Sequence, residues 1–152
     1  MQRFASKCDE PPSPGASTTT SCRFFFDENL LGVGRAIALA RDDVVYPGHT
    51  ALPQIPQGAA DALWLPIIGS AGLNLVLITR DLNIRNKPGE RALLRQHSVR
   101  GLFLTGKQDM NRWDKLSLLV KNWDQFERRL SKNGPGPWAL SLTPSGFRDI
   151  PL

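Results

Sequence analysis

The stretch FFFDENLLGVG, residues 24–34, decides the expected fold because it joins a buried strand to a charged turn and a helix. Three consecutive phenylalanines are typical of a buried strand. Asp27, Glu28 and Asn29 follow without a spacer, and two carboxylates at the end of a buried strand are costly to desolvate. The stretch therefore predicts either a bound cation at the strand end or charges directed to water.

The rest of the chain alternates between short apolar runs and helical segments, which predicts an α/β domain with a central, mainly parallel sheet of about five strands. The predicted strands cover residues 23–26, 44–46, 75–79, 101–104 and 138–142. The predicted helices cover residues 30–40, 61 or 62 to about 72, 88–97 and an amphipathic segment from 113 to 130 that Gly134 ends. Pro66 predicts that the second helix starts later than Asp61 or is kinked.

Length and charge limit the classes of protein. The chain has 152 residues, enough for one domain. Its 19 Lys and Arg against 14 Asp and Glu give a net charge of +5, which favours an anionic partner. Residues 1–21 contain PPSPGASTTT and are expected to be a disordered leader. We expect the folded domain at residues 22–146 and a tail at residues 147–152.

The composition also argues against several site types. Cys8 and Cys22 lie in or beside the leader, so we expect no disulfide framework and a reducing cytoplasm. The two histidines, His49 and His97, are too few for a typical structural zinc site. The most apolar stretch, residues 63–78, is interrupted by proline, glycine and polar residues, so no membrane span is expected.

Acidic residues follow two of the predicted strands directly. Asp27 follows the first strand and Asp81 the third, and the carboxyl ends of parallel strands share the edge of a sheet at which ligands collect. Asp61, at the start of the intervening helix, is placed to reach the same edge. Three converging carboxylates repel one another unless a hard cation neutralises them, and Mg²⁺ or Mn²⁺ prefers such oxygen ligands. The pattern therefore predicts a metal site.

Each acidic residue also has a local structural interpretation. Asp61 suits the N-cap of a helix, and Asp81 suits a turn that hydrogen-bonds its own backbone. Asp27 together with Asn29 suits the cap of the first helix. The functional interpretation gains from the coincidence that two carboxylates stand at the ends of predicted parallel strands.

A different alternative is a nucleotide-binding glycine turn after the first strand. Gly32 and Gly34 supply G-x-G, but Ile37 stands where the third glycine belongs. The carboxylates of the preceding turn would also oppose a pyrophosphate group. Both observations argue against a dinucleotide-binding domain.

The order and spacing of three short motifs resemble those of the PIN-domain nucleases. The motifs are an apolar strand entering Asp27-Glu28-Asn29, Asp61 at a helix start, and LNLVLITRD ending in Thr79-Arg80-Asp81. Over residues 24–144 the chain is similar to PIN-like, VapC-type toxins of bacterial toxin–antitoxin pairs. The resemblance implies a three-layer α/β/α fold, RNA as substrate, and Mg²⁺- or Mn²⁺-dependent hydrolysis of phosphodiester bonds. It also implies a cognate antitoxin and, in many members, a homodimer.

The resemblance assigns roles to individual residues by motif. The metal ligands and catalytic residues would be Asp27, Asp61 and Asp81, and the residues that support them through polar contacts would be Glu28, Thr79 and Asn83. Asn83 stands where relatives often carry another acid, so we expect one firm metal site. The implied mechanism is attack by a metal-coordinated water, with Asp61 as a candidate proton acceptor.

Basic residues crowd the segment after the third acidic motif. Arg80, Arg85 and Lys87 are the candidates for binding the phosphates that flank the scissile bond. Arg91 and Arg95 fit the same role or a solvated helix face equally well.

Two further interpretations stay open. Trp64 and Trp113 fit a core stripe better than a base-stacking role. A non-catalytic PIN-like module that binds RNA or a protein without a metal is the alternative to a nuclease, because Asn83 replaces an acid.

Overall fold

The structure of the protein, a computed structural model, describes residues 22–69, 74–80, 87–106 and 110–152. Within them, six strands form one sheet in the order β2-β1-β3-β4-β5-β6. The first five strands are parallel, and β6 is antiparallel to β5. The strands are β1 (Phe24–Phe26), β2 (Val44–Val45), β3 (Val76–Thr79), β4 (Arg100–Leu104), β5 (Trp138–Thr143) and β6 (Gly146–Ile150).

Helices cover both faces of the sheet, in two separate apolar clusters. The first cluster contains residues of α1 and α4, and the second contains residues of α2 and α3. The mainly parallel three-layer α/β/α fold expected from the sequence is therefore confirmed. The helices are α1 (Leu31–Ala40), α2 (Asp61–Ile68), α3 (Pro88–Gln96) and α4 (Arg112–Asn133).

The three phenylalanines of β1 are fully buried because the strand lies between the two helical layers. Phe24 and Phe26 belong to the cluster with α1 and α4, while Phe25 belongs to the cluster with α2 and α3. Alternate side chains of a strand point to opposite faces, so an unbroken apolar run is needed where both faces are covered. Because both faces of β1 are covered, a ligand can approach the end of this strand only from the edge of the sheet.

The two glycines after β1 lie inside α1 and not in a phosphate-binding turn. A Cβ atom at Gly34 would be 2.7 Å from Cβ of Phe26, which is closer than real Cβ contacts. At Gly32, the side chain of Arg112 occupies the same space, 2.5 Å from the position of a Cβ. These glycines therefore allow α1 to approach β1 and α4 closely, and the dinucleotide interpretation of G-x-G is not supported.

For the long helix α4, the predicted end at Gly134 is confirmed and the predicted burial of Trp113 is wrong. The side chain of Asn111 accepts from the backbone N–H of Asp114 at 2.8 Å, and α4 ends at Gly134, as expected. Trp113, however, is 72% exposed, whereas Trp64 is buried. At 100° per residue, Trp113 lies roughly 80° around the helix from the buried Trp123, so its ring faces solvent. The prediction that Trp113 belongs to the core stripe is wrong.

Three other expectations need correction. Helix α2 begins at Asp61 with Pro66 inside it, so it does not start later. Residues 146–150, expected to lie largely in a tail, form β6, and the ring of Phe147 stacks on that of Phe126 with 6.3 Å between centroids. Cys22 is buried and disulfide-bonded, contrary to the expectation of reduced cysteines. The other cysteine of the sequence, and the proposed leader, lie outside the described residues.

In the part of the chain that the structure describes, no helix combines the length and the apolar character that a membrane span needs.

Candidate functional site

Asp27 lies at the edge of the sheet where β1 ends. Its backbone N–H donates to the carbonyl of Ile78 at 3.0 Å, so the pairing of β1 with β3 continues one residue beyond the strand. The residue is only 5% exposed. Its Oδ1 accepts from the backbone N–H of Glu28 at 2.6 Å, and its Oδ2 accepts from the hydroxyl of Thr79 at 2.9 Å. The buried carboxylate is therefore compensated by hydrogen-bond donors.

Asn29 joins the turn after β1 to the end of β3. Its Nδ2 lies 3.3 Å from Oδ2 of Asp27 and 3.3 Å from Oγ1 of Thr79. Its Oδ1 accepts from the backbone N–H of Arg80 at 3.1 Å. Asp27, Asn29 and Thr79 therefore form one hydrogen-bonded unit, which we call the edge cluster.

Arg80 continues this edge toward β4. Its guanidinium donates from Nη1 to the carbonyl of Leu104 at 3.3 Å, and Leu104 is the last residue of β4. Three other predicted site residues, Asp81, Asn83 and Arg85, lie outside the described residues. The backbone of Arg80 contacts the edge cluster, and Asp81 is the next residue in the sequence. The roles assigned to these three residues stay predictions.

Asp61 is the first residue of α2, and Ala60 occupies the N-cap position. The loop before α2 is tied to the turn after β1, because Oε1 of Glu28 accepts from the backbone N–H of Gly58 at 2.7 Å. Three residues of extended chain span at most about 11 Å, so Asp61 begins its helix within that distance of the contact. This link connects the second acidic motif to the first.

The predicted three-carboxylate centre is only partly described. Among the described residues, no group of three or more His, Cys, Asp and Glu is arranged to hold a metal ion. The third member of the predicted set is Asp81, which is not among them. The metal site therefore stays a prediction, in which Asp27 and Asp61 are the acids with described positions.

A comparison with protein families gives one result. A family model described as a PIN like domain matches residues 22–106, more than half of the chain. The chain belongs to the PIN-like domain family. Comparisons with curated proteins and with solved structures gave no match.

A groove of this PIN-like domain opens beside the edge cluster, with a volume of about 610 Å³. It lies between the start of α1 and the start of α4, and Glu28 and Asn29 line it. Its cationic lining residues are Arg35, Arg112 and Lys115. A groove with cations along its walls can bind a polyanion beside the edge cluster, which Asn29 joins to the groove.

The groove contains functional candidates that sequence reasoning missed. Arg35, Arg112 and Lys115 are distant in sequence from the basic segment after the third motif, and only the packing of α1 against α4 brings them together. Asn29 was interpreted as a cap, although its position two residues after Asp27 was a usable signal. Of the predicted phosphate-binding residues with described positions, Lys87 is exposed at the N-cap of α3 and Arg80 is half-buried.

Proposed function

We propose that this PIN-like domain is a metal-dependent ribonuclease that hydrolyses phosphodiester bonds in RNA at the edge cluster. PIN-like domains are generally nucleases, and the chain belongs to that family. The observation that carries the proposal is the buried carboxylate of Asp27 at the sheet edge, beside a groove with three cationic side chains. The cations match a polyanionic substrate, and the acid matches a hydrolytic centre.

The donor atoms of the edge cluster fit Mg²⁺ or Mn²⁺. The hydroxyl oxygen of Thr79 lies 2.9 Å from Oδ2 of Asp27 and 3.5 Å from the amide oxygen of Asn29, and the cluster contains no thiolate or imidazole. Hard cations prefer oxygen ligands of this kind. In our proposal Asp27, Asp61 and Asp81 hold the cation, and Asn29 and Thr79 orient Asp27.

The proposed mechanism assigns a separate role to each group of residues. A divalent cation held by these oxygens would supply a water of lowered pKa and neutralise charge on the phosphate. Thr79 and the backbone of Glu28 fix both oxygens of Asp27, so that the carboxylate keeps one orientation. Arg35, Arg112 and Lys115 bind the phosphates of the strand in the groove, and Asp61 accepts the proton of the attacking water.

Substitution of Asp27 by Asn tests the proposal, and Asp124→Asn on the exposed face of α4 is the matched control. We expect the parent and the control to cleave end-labelled RNA with Mg²⁺ and to stop when EDTA is added. Asp27→Asn should reduce the rate by at least about 100-fold, because a neutral amide neither holds the cation nor balances its charge. We expect this variant to be no more stable than the parent, since the amide lacks one acceptor for the donors around Asp27.

Two results contradict the proposal. One is cleavage by Asp27→Asn at the parent rate. The other is binding of RNA without cleavage at any concentration of Mg²⁺ or Mn²⁺, which supports the non-catalytic binding module. Calorimetric titration of the parent with Mg²⁺ measures the metal site independently of cleavage.

The biological role that we propose is that of a toxin restrained by an antitoxin, with a homodimer as the assembly. This part of the proposal depends on the sequence resemblance to VapC-type toxins. Co-purification with the product of a small neighbouring reading frame, and growth arrest on expression that this product relieves, test it. Growth arrest that persists in Asp27→Asn contradicts a toxin that acts by cleavage.

A further inference from the structure

A second cavity lies on the face of the sheet that carries α3, at the carboxyl ends of β4 and β5 and against β6. Its volume is about 880 Å³, which is large enough for a nucleotide-sized group. On this face the residues nearer the middle of the sheet, Phe103 and Ala139, belong to the apolar cluster with α2 and α3. The next residues on the same face are polar and line the cavity: Thr105, Ser141 and Thr143. The face therefore changes from apolar to hydroxyl-bearing at the edge.

Two guanidinium groups complete the lining. Arg148 of β6 is paired with Ser141 of β5, so both side chains are on the same face of the sheet. Arg91 enters from the first turn of α3, and its Nε is buried without a hydrogen-bond partner among the described residues. A buried guanidinium nitrogen that lacks an acceptor is unusual in a folded protein. The cavity therefore has one guanidinium donor, Nε of Arg91, that no described residue uses.

The only carboxylate-bearing residue among those that line the described cavity is Asp149. It is paired with Leu140, which belongs to the cluster on the opposite face, so alternation directs its side chain away from Arg148. Hydroxyl and guanidinium donors without an inward carboxylate suit an anion with several acceptor oxygens. A phosphate group fits, because guanidinium groups bind it with two parallel hydrogen bonds and it keeps further oxygens for the hydroxyl donors.

The cavity lies on the same edge as the edge cluster. Thr79, Phe103, Ser141 and Arg148 are successive neighbours in register across β3, β4, β5 and β6. Since neighbouring strands are about 4.8 Å apart, Ser141 lies roughly 10 Å from Thr79 across the sheet. One strand of RNA can therefore contact both places.

We infer that this cavity is a phosphate-binding subsite for an RNA strand that extends from the edge cluster across the ends of β4 and β5. The identity of the polymer rests on the proposed function, whereas the preference for phosphate rests on the lining. Arg91 and Arg148 bind the phosphate oxygens, and the hydroxyl of Ser141 donates a further hydrogen bond.

The test measures binding of a fluorescent 12-nucleotide single-stranded RNA in EDTA, so that cleavage does not interfere. The variants are Arg91→Gln, Arg148→Gln and Ser141→Ala, with Arg95→Gln as the control. Arg95 lies one turn from Arg91 on α3, is exposed and is not among the residues that line the cavity, so of its two sequence interpretations we adopt the solvated helix face. We expect each cavity arginine variant to weaken binding roughly tenfold and to lower the slope of log Kd against log salt by about 0.7. Ser141→Ala should weaken binding about threefold without changing the slope, and Arg95→Gln should change neither.

The source of the phosphate is tested by comparing inorganic phosphate with the 12-nucleotide RNA. We expect both arginine variants to bind both of them more weakly than the parent does. If the variants lose inorganic phosphate but keep the parent affinity for the 12-nucleotide RNA, the cavity serves a free anion and our inference is wrong. Unchanged RNA affinity and slope in both arginine variants also overturns it.

Two controls distinguish a failure of this inference from a failure of the nuclease proposal or of folding. A parent protein that binds RNA with the expected variant effects but never cleaves it contradicts the nuclease proposal and leaves the subsite in place. Arg148 is exposed on β6, so its variant tests the cavity even if Arg91→Gln does not fold. Thermal unfolding followed by circular dichroism identifies such a folding defect.

Discussion

The carboxylate of Asp27 makes one contact within its own turn and one with the neighbouring strand. Its side chain caps the short 3-10 helix Glu28–Leu30, and the same carboxylate accepts the hydroxyl of Thr79 from the neighbouring strand. The charge at the end of β1 was expected to need a cation or water. The structure adds a third means of compensation, since hydrogen-bond donors of the chain itself surround the buried carboxylate. Glu28, by contrast, is exposed and holds the loop before α2.

At the residue scale, Thr79→Val tests how much the hydroxyl contributes to the edge cluster. Valine keeps the shape of threonine but removes the donor to Asp27, so a buried oxygen loses a partner. We expect the free energy of unfolding to fall by about 1–3 kcal/mol. Urea unfolding at pH 7 without metal measures the change. Thr79→Ser keeps the hydroxyl and is the control, and equal stability of the two variants would rule out the hydroxyl as the cause.

At the scale of elements, an ion-pair network holds α1, β2 and α4 together. Arg41 follows α1 and donates from Nε and Nη2 to the two carboxylate oxygens of Asp43, at 3.0 and 2.9 Å. Its Nη2 also lies 3.1 Å from Oε1 of Glu127 on α4. The hydrogen bonds to Asp43 raise the pKa of Arg41 above its usual value, although burial opposes the shift. The network therefore fixes α1 against α4, and these two helices form the walls of the groove.

Asp43→Asn tests this network. Asp43 is buried, and its loss leaves Arg41 without its two-point partner, so we expect a decrease of about 1–3 kcal/mol in the free energy of unfolding. Asp124→Asn, exposed on α4, should change stability by less than about 0.5 kcal/mol. Guanidinium chloride screens charges, so urea is the appropriate denaturant. The difference between the variants should narrow in 1 M NaCl because Arg41 and Glu127 are partly exposed.

The result that contradicts this prediction is an Asp43→Asn protein that unfolds at the same urea concentration as Asp124→Asn. In that case the arginine interacts mainly through its position over the rings of Phe24 and Trp123, at 5.6 and 5.1 Å from the ring centroids.

At the scale of the whole molecule, β6 closes the side of the sheet that lies farthest from β2. It pairs with β5 over residues 146–150 and brings Phe147 onto Phe126 of α4. It also supplies Arg148 to the phosphate cavity. The last residues therefore belong to the architecture of the domain and to one of its candidate binding surfaces.

Removal of residues 146–152 tests this role. The truncation leaves the hydrogen-bonding edge of β5 unpaired and uncovers Phe126, so we expect the free energy of unfolding to fall by at least about 3 kcal/mol and aggregation to increase. Phe147→Ala should account for about 1–2 kcal/mol of this loss, while Asp149→Ala, exposed on β6, should have little effect. A truncated protein that unfolds at the parent midpoint would show that β6 does not stabilise the domain.

The sequence predicted the elements well where local patterns decide them. The buried run of β1, the strand of residues 75–79, proline at the start of α3 and Gly134 at the end of α4 all lie within a residue or two of their predicted places. These signals are local, since they depend on apolar periodicity and on the backbone preferences of proline and glycine. The sequence also placed Asp27 at a strand end.

The tertiary structure decided which other side chains each of those residues contacts. Trp113 shares an apolar pattern with the core residues of α4, but its angle around the helix leaves it in solvent. The last strand was not predicted because apolar and polar residues alternate only weakly in GFRDI. The segment becomes a strand through its pairing with β5. The partners of Asp27, the groove cations and the phosphate cavity each join residues from distant segments, and a sequence pattern does not specify which elements pack together. Local chemistry therefore determined the strands, helices and charged turn, and packing determined which side chains meet.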